Sequence, residues 1–182
     1  VLDALDNGPH AENTIVVLFS DHGYHLGEKQ RWSKFSLWER TTHVPLIVSV
    51  PGAAKERIDK PVELLSIYPT LIDLCGLQVN PKLEGVSLKP LLKDPHSVWE
   101  HVAVSTLGHN NHAVCDERWR YIRYADGSED LYHHQTDPNE WSNLAVQSST
   151  PEHDRVITRL KKYLPGTNRP QRGTQSKKEN PL

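Results

Sequence analysis

A carboxylate and an imidazole stand side by side at Asp21 and His22, a glycine follows at Gly23, and an ammonium arrives at Lys34. Adjacent oxygen and nitrogen donors suit a divalent cation. Asp21 offers the hard oxygen that Ca²⁺ prefers, while the His22 imidazole fits Zn²⁺ or Mn²⁺ more naturally. The plainer alternative is a strand-end aspartate accepting backbone hydrogen bonds beside a turn histidine. Tyr24, His25, Glu28 and Trp32 lie in the same window. They could line a substrate pocket next to the cation, or simply brace and cover the loop that carries them.

These residues need a strand to hold them. Residues 15–19 read Ile-Val-Val-Leu-Phe, an apolar run with the composition of a strand buried on both faces. Asp21 and His22 then fall at its C-terminal end, where open α/β sheets place their ligands. Gly23 lets the backbone turn away. Residues 23–42 form a long polar connection, and loops of that length inside a domain are usually functional or disordered. Trp32, Phe35, Leu37 and Trp38 argue against disorder, because such side chains need cover.

A second strand is expected over 44–50, with Pro45 at its first residue or on an edge. Ser66 is placed to cap a helix with Pro69 in its first turn, and Leu71, Ile72, Leu74 and Cys75 form its apolar face. Cys75 is therefore expected to be a buried free thiol. Gly76 ends the helix, and the proline-punctuated stretch 81–95 is read as a domain boundary.

Beyond it the pattern changes to short, aromatic, roughly alternating runs at 102–105, 113–115, 119–124 and 130–133. They imply a small antiparallel sheet with one wet face, and Asp126-Gly127 marks a hairpin loop. Trp119 to Tyr124 is expected to pack on a helix over 152–164 whose apolar face is Val156, Ile157, Leu160 and Leu164. His43 reads as structural, and His109, His112, His133 and His134 as surface histidines. Residues 166–182, with Lys177-Lys178, read as a mobile solvated tail.

The formal net charge is −2, so no basic field points to nucleic acid or an anionic membrane. No apolar run approaches the roughly 18 residues needed to cross a bilayer. The opening Val1 to Asp6 resembles the end of an amphipathic helix without its start, which suggests a piece of a longer protein.

The order Asn13-Thr14-Ile15-Val16-Val17-Leu18-Phe19-Ser20-Asp21-His22-Gly23, Leu26-Gly27-Glu28, Trp32-Ser33-Lys34-Phe35 and Thr42-His43-Val44-Pro45 resembles the type I sulfatases of the alkaline phosphatase superfamily. The likeness is strongest to the iduronate-2-sulfatase-like branch. It continues through Tyr68-Pro69-Thr70-Leu71, Leu83-Glu84-Gly85-Val86-Ser87-Leu88, Glu129-Asp130-Leu131-Tyr132 and Thr136-Asp137-Pro138-Asn139-Glu140. The resemblance implies an α/β fold. Residues 1–95 would be the C-terminal part of an alkaline-phosphatase-like α/β sandwich, 96–165 a small antiparallel subdomain with a helix, and 166–182 a tail.

It also implies the chemistry. Asp21 and His22 would belong to a Ca²⁺ shell, with Zn²⁺ or Mn²⁺ as the alternative. Lys34 would be catalytic and would bind the sulfate, because charge builds on the sulfate oxygens as the S–O bond breaks. The nucleophile of this family is a formylglycine matured from a C/S-x-P-x-R signature. Neither Cys75 nor Cys115 stands in such a sequence. The formylglycine is expected upstream, in a missing N-terminal part of the same polypeptide, and this stretch alone is not expected to turn over substrate. The implied substrate is a sulfate ester, on a sulfated carbohydrate, and the family suggests an extracytoplasmic setting. Two alternatives stay open: a phosphodiesterase or phosphonate hydrolase of the same superfamily, and a non-catalytic glycan-binding protein.

Overall fold

The computed structural model describes residues 1–53, 55–147 and 150–168. Helix α1 (Leu2–Asp6) and a 3-10 turn (Ala11–Asn13) lead into strand β1 (Val16–Phe19). The connection that follows is ordered by a 3-10 turn at Glu28–Gln30 and by helix α2 (Glu39–Thr42). Strand β2 (Leu46–Ser49) then returns antiparallel to β1, with Val16 opposite Ser49 and Phe19 opposite Leu46. Pro45 sits just outside the ladder, and its carbonyl accepts the Ser20 N–H at 3.2 Å. Its missing amide therefore removes no ladder bond.

The burial expected on both faces of β1 is not found: Leu18 is 55% and Phe19 50% exposed. A two-stranded ribbon has too few neighbours to cover two faces. The apolar run asks for cover that the described residues do not supply.

Helix α3 (Ile67–Leu74) forms as its pattern predicts, but Ser66 does not cap it with its side chain. A 3-10 turn at Leu64–Ser66 runs directly into the helix, so Ser66 is already helical. The Thr70 hydroxyl instead donates to the Ser66 carbonyl at 2.6 Å and accepts the Leu88 N–H at 2.8 Å. Cys75 is a free thiol, yet exposed rather than buried. It is the C-cap residue, one position past the buried face, and Gly76 at φ +63° ends the helix there. Helix α4 (Lys89–Lys93) lies inside the proline-punctuated stretch, packs on α3 and buries Leu91.

The second half is a four-stranded antiparallel meander in chain order: β3 (Ala103–Thr106), β4 (His112–Cys115), β5 (Trp119–Arg123) and β6 (Glu129–His133). The β5–β6 hairpin turns at Asp126-Gly127, where Gly127 has φ +86° and the Asp126 carboxylate accepts the Ser128 N–H at 2.9 Å. Helix α5 (Leu144–Gln147) follows β6, and helix α6 (Pro151–Leu160) is capped by Thr150, whose hydroxyl accepts the His153 N–H. A 3-10 turn at Lys161–Tyr163 completes the expected helical segment.

Trp119, Tyr121 and Leu131 pack under Val156 and Leu160 of α6, as the aromatic strand predicts. The opposite face is not wet. Leu37 and Trp38 of the 23–42 loop lie over Ala113, Ile122 and Tyr132. Arg120, expected to face water, is only 4% exposed. Covering a sheet on both sides buries several large side chains at about 1.5–3 kcal/mol each. The expected tail beyond residue 168 lies outside the described residues. No helix among the described residues is long and apolar enough to cross a membrane.

Candidate functional site

Asp21, His22 and Lys34 meet at the end of β1. The Lys34 ammonium lies 3.0 Å from His22 Nε2, and Asp21 Oδ2 lies 3.6 Å from the same nitrogen. On the other side of the ring, Nδ1 is 2.8 Å from the Gly23 carbonyl. A carbonyl only accepts, so Nδ1 carries the proton and Nε2 presents its lone pair. That is the tautomer a metal-binding histidine needs. The Asp21 side chain is 82% exposed and that of His22 36%, so both donors face outward from the described chain.

The backbone beneath them is tightly fixed. The Ser20 hydroxyl donates to the His22 carbonyl at 2.9 Å, and the Gly23 N–H donates to the Thr41 carbonyl at 2.9 Å. Gly23 is required by close approach: a Cβ there would stand 2.1 Å from the Arg40 carbonyl oxygen.

The remaining candidates divide into outer and inner groups. Trp32 is 70% exposed, and Tyr24, half exposed, donates its hydroxyl to the Trp32 carbonyl at 3.1 Å. Glu28 is turned to its own loop: one oxygen accepts the Leu26 N–H at 2.7 Å and the other pairs with Arg40 at 3.5 Å. The N–H groups of Glu28 and Leu26 hold its carboxyl below the usual range. His25 is buried, with Nε2 2.9 Å from the Ser36 hydroxyl, which is in turn 2.7 Å from that of Thr41. Burial lowers its pKa and keeps the ring neutral. In this arrangement Glu28 and His25 brace the loop, while Tyr24 and Trp32 remain on its surface. His43 is exposed on its ring and pairs with Glu39 at 2.6 Å.

A second cluster was not anticipated from sequence. Arg120 Nε donates to Glu140 Oε1 at 2.7 Å, and its Nη2 pairs with Glu39. His134 Nε2 shares Glu140 Oε1 at 2.8 Å. Burial would raise the Glu39 pKa, but the His43 hydrogen bond and the Arg120 charge outweigh it and hold the carboxyl at about 2. His134 is likewise opposed by burial, yet the Cys115 sulfur and Glu140 hold it up to about 9. Ligand atoms of Glu39, His134 and Glu140 all lie within 4.8 Å of one another, close enough to surround a cation. The Arg120 guanidinium already occupies that role, so the cluster is a buried ion network. The available sequence signal was the arginine between Trp119 and Tyr121, which strand alternation assigns to a solvent face.

Residues 1–77 match the family model described as Sulfatase. The chain is 47% identical over 169 residues to a sulfatase of Formosa agariphila, which covers 92% of this chain and 33% of the relative. The solved structure of a 2-O GAG sulfatase superposes with TM-score 0.72 at 29% identity over 88% of this chain and 37% of that one. A phosphonate monoester hydrolase of Agrobacterium radiobacter shares the fold with TM-score 0.75 at 23% identity, over 88% of this chain and 36% of the other. The fold is thus that of the C-terminal part of an alkaline-phosphatase-like α/β protein. By the family match and by this relative, the chain is similar to sulfatases. The chain spans about a third of the length of the relatives it matches.

Proposed function

We propose that this chain is the part of a longer sulfuric ester hydrolase that brings one edge of the metal site and a sulfate clamp to the active centre. The observation that carries this reading is the convergence of Asp21, His22 and Lys34 at one strand end, with Nε2 of His22 left unprotonated between the Asp21 carboxylate and the Lys34 ammonium. A carboxylate oxygen and a neutral imidazole nitrogen 3.6 Å apart form a donor set that fits a divalent cation. The resemblance to the iduronate-2-sulfatase-like branch favours Ca²⁺. When bound, such a cation would act as a Lewis acid on the sulfate oxygens and the nucleophile.

The chain's own residues do the rest. Asp21 and His22 would hold the cation, with the His22 ring oriented by the Gly23 carbonyl. Nε2 has a single lone pair, which either accepts a hydrogen bond from Lys34 or is donated to a metal, not both. Ligation by His22 therefore leaves the Lys34 ammonium free to donate to a sulfate oxygen, where charge grows as the S–O bond breaks. Tyr24 and Trp32, exposed on the same loop, would contact the alcohol portion of the substrate. The 2-O GAG sulfatase among the structural neighbours supports a sulfated carbohydrate as that alcohol. The nucleophile, a formylglycine in this family, would come from the preceding part of the polypeptide.

In the full-length protein, Asp21→Ala and Lys34→Ala are expected to abolish hydrolysis of p-nitrophenyl sulfate while far-UV and near-UV circular dichroism stay unchanged. Near wild-type turnover in either variant overturns the assignment of that residue. The histidine donor and the shared fold of the phosphonate monoester hydrolase favour a second reading, a phosphorus ester hydrolase. Metal content and paired sulfate and phosphonate ester assays separate the two. Calcium with sulfatase activity supports the first reading, and zinc or manganese with phosphonate ester hydrolysis supports the second.

A further inference from the structure

The loop that presents Lys34 is fastened on both sides to one residue of the four-stranded half, Glu140. Five residues before Lys34, the Lys29 ammonium donates to the Glu140 carbonyl. That ammonium lies over the rings of Trp38 and Tyr132, each centroid 4.7 Å away, with Trp141 at 5.9 Å. A desolvated ammonium among aromatic faces is held in place by their quadrupoles as well as by its hydrogen bond. Five residues after Lys34, the Glu39 N–H donates to Glu140 Oε2 at 2.8 Å. The other carboxylate oxygen takes Arg120 and His134.

Glu140 is completely buried and more than 100 residues from either anchor. Its φ of +59° lies in the left-handed region, which a glutamate rarely adopts and keeps only where the surroundings over-determine it. Here they do. Its N–H donates to the Asp137 carbonyl, and the Asp137 carboxylate accepts the N–H groups of Trp141 and Ser142. Every polar atom of Glu140 is thus committed, and two of its bonds end on the lysine loop.

We propose that Glu140 is a positioning residue for Lys34: by closing the loop at Lys29 and at Glu39 it sets where the ammonium stands relative to His22, and so the reach of the sulfate clamp. The inference rests on the reading of Lys34 as the sulfate-binding group. The chemistry calls for a carboxylate rather than its amide. Oε1 accepts from Arg120 and His134 while Oε2 accepts from the Glu39 amide, so both oxygens face donors. In Glu140→Gln one of those oxygens becomes an NH₂ group, which would point donor against donor.

The test uses the full-length protein with its metal, with inorganic sulfate as the calorimetric probe and p-nitrophenyl sulfate as the substrate, well below each variant's Tm. Glu140→Gln is expected to weaken sulfate binding and to lower kcat/KM by about tenfold or more, the scale on which a small misplacement acts. Adding Glu140→Gln to Lys34→Ala is expected to weaken sulfate binding no further, because the group it positions is gone. Lys29→Met keeps the aliphatic stem, opens the loop on one side only, and is expected to act in the same direction. It serves as the readout if Glu140→Gln does not fold.

Wild-type sulfate affinity in folded Glu140→Gln or, should that variant not fold, in Lys29→Met, overturns the proposal while leaving Lys34 in its role. An equal loss of affinity with and without Lys34 also overturns it, since that marks general disruption. If Lys34→Ala binds and turns over like wild type, the sulfate-clamp reading itself fails, and the proposal with it.

Discussion

The two sheets of this chain solve opposite problems. The β1–β2 ribbon carries Asp21 and His22, yet Leu18, Phe19 and Ile47 on it are at least half exposed. The β3–β6 sheet carries no residue of the proposed metal site, yet Tyr121, Ile122 and Leu131 in it are fully buried, and both faces are covered. Chemistry sits on the element with the least support of its own, and support sits on the element with the least chemistry. The 23–42 loop joins them. Its outward side presents Lys34 to His22, and its inward side sends Lys29, Leu37, Trp38 and Glu39 into the self-supporting half. A reactive group on an exposed ribbon is thereby given a rigid reference.

Breaking that reference should have the largest effect on stability. Arg120 is buried between Glu140 and Glu39. Arg120→Met keeps most of the volume but removes the guanidinium between two carboxylates, leaving them only their histidine partners, at a cost of about 3–5 kcal/mol. Urea denaturation should show the midpoint falling accordingly. A change below about 1 kcal/mol would mean that the two carboxylates are stabilised by other partners and that the two halves do not differ in this way.

Much of this organisation was legible in the sequence. Periodicity located β1, β2, all four strands of the second sheet, α3 and α6, because each follows a local rule of alternation, capping or turn chemistry. The Asp-Gly hairpin and the glycine stop of α3 came from the same rules. The window from Asp21 to Lys34 was also visible, since its residues are close in sequence, and the structure does bring Asp21, His22 and Lys34 together. The ion network was not visible. Glu39, Arg120, His134 and Glu140 come from three separated segments, and only tertiary contact makes Arg120 an interior residue. The exposed β1 was missed for a related reason: an apolar strand announces a demand for cover, not where the cover is. Cys75 and Ser66 failed at the scale of one residue, where a 3-10 turn or a helix ending one position earlier changes which side chain faces inward.

The network also gives the inner half a pH dependence of its own. With a folded pKa of about 9, His134 contributes stability that is fully present below its ordinary value near 6.5 and lost as pH rises through 9. Glu39, held at about 2, contributes stability present above pH 4.5 and lost only as pH falls through 2. The pair is therefore fully engaged between about pH 4.5 and 6.5. The alkaline loss from His134 is on the order of 3 kcal/mol. His134→Gln should remove most of it, so the wild-type minus variant difference in unfolding free energy should shrink from pH 6.5 to pH 9. A difference that stays constant across that range would show that His134 does not carry its charge in the folded state.

The smallest change in stability, with a large change in binding, is expected where the end of β1 meets α2 of the connecting loop at Gly23. An added Cβ meets the Arg40 carbonyl oxygen at 2.1 Å and the Thr41 Cα at 3.2 Å, both backbone atoms that cannot rotate away. Gly23→Ala must therefore push the end of β1 off α2. Overpacking of this kind costs about 1–3 kcal/mol, less than the loss of Arg120, because the exposed ribbon can yield. Yielding, however, displaces the Gly23 carbonyl that orients the His22 ring, and with it the 3.0 Å approach of Lys34. Calorimetric titration of calcium and of inorganic sulfate should show both affinities falling in a variant whose Tm has dropped only modestly. If the Tm instead falls as far as in Arg120→Met with affinities intact, the ribbon would be the rigid partner and the covered sheet the compliant one.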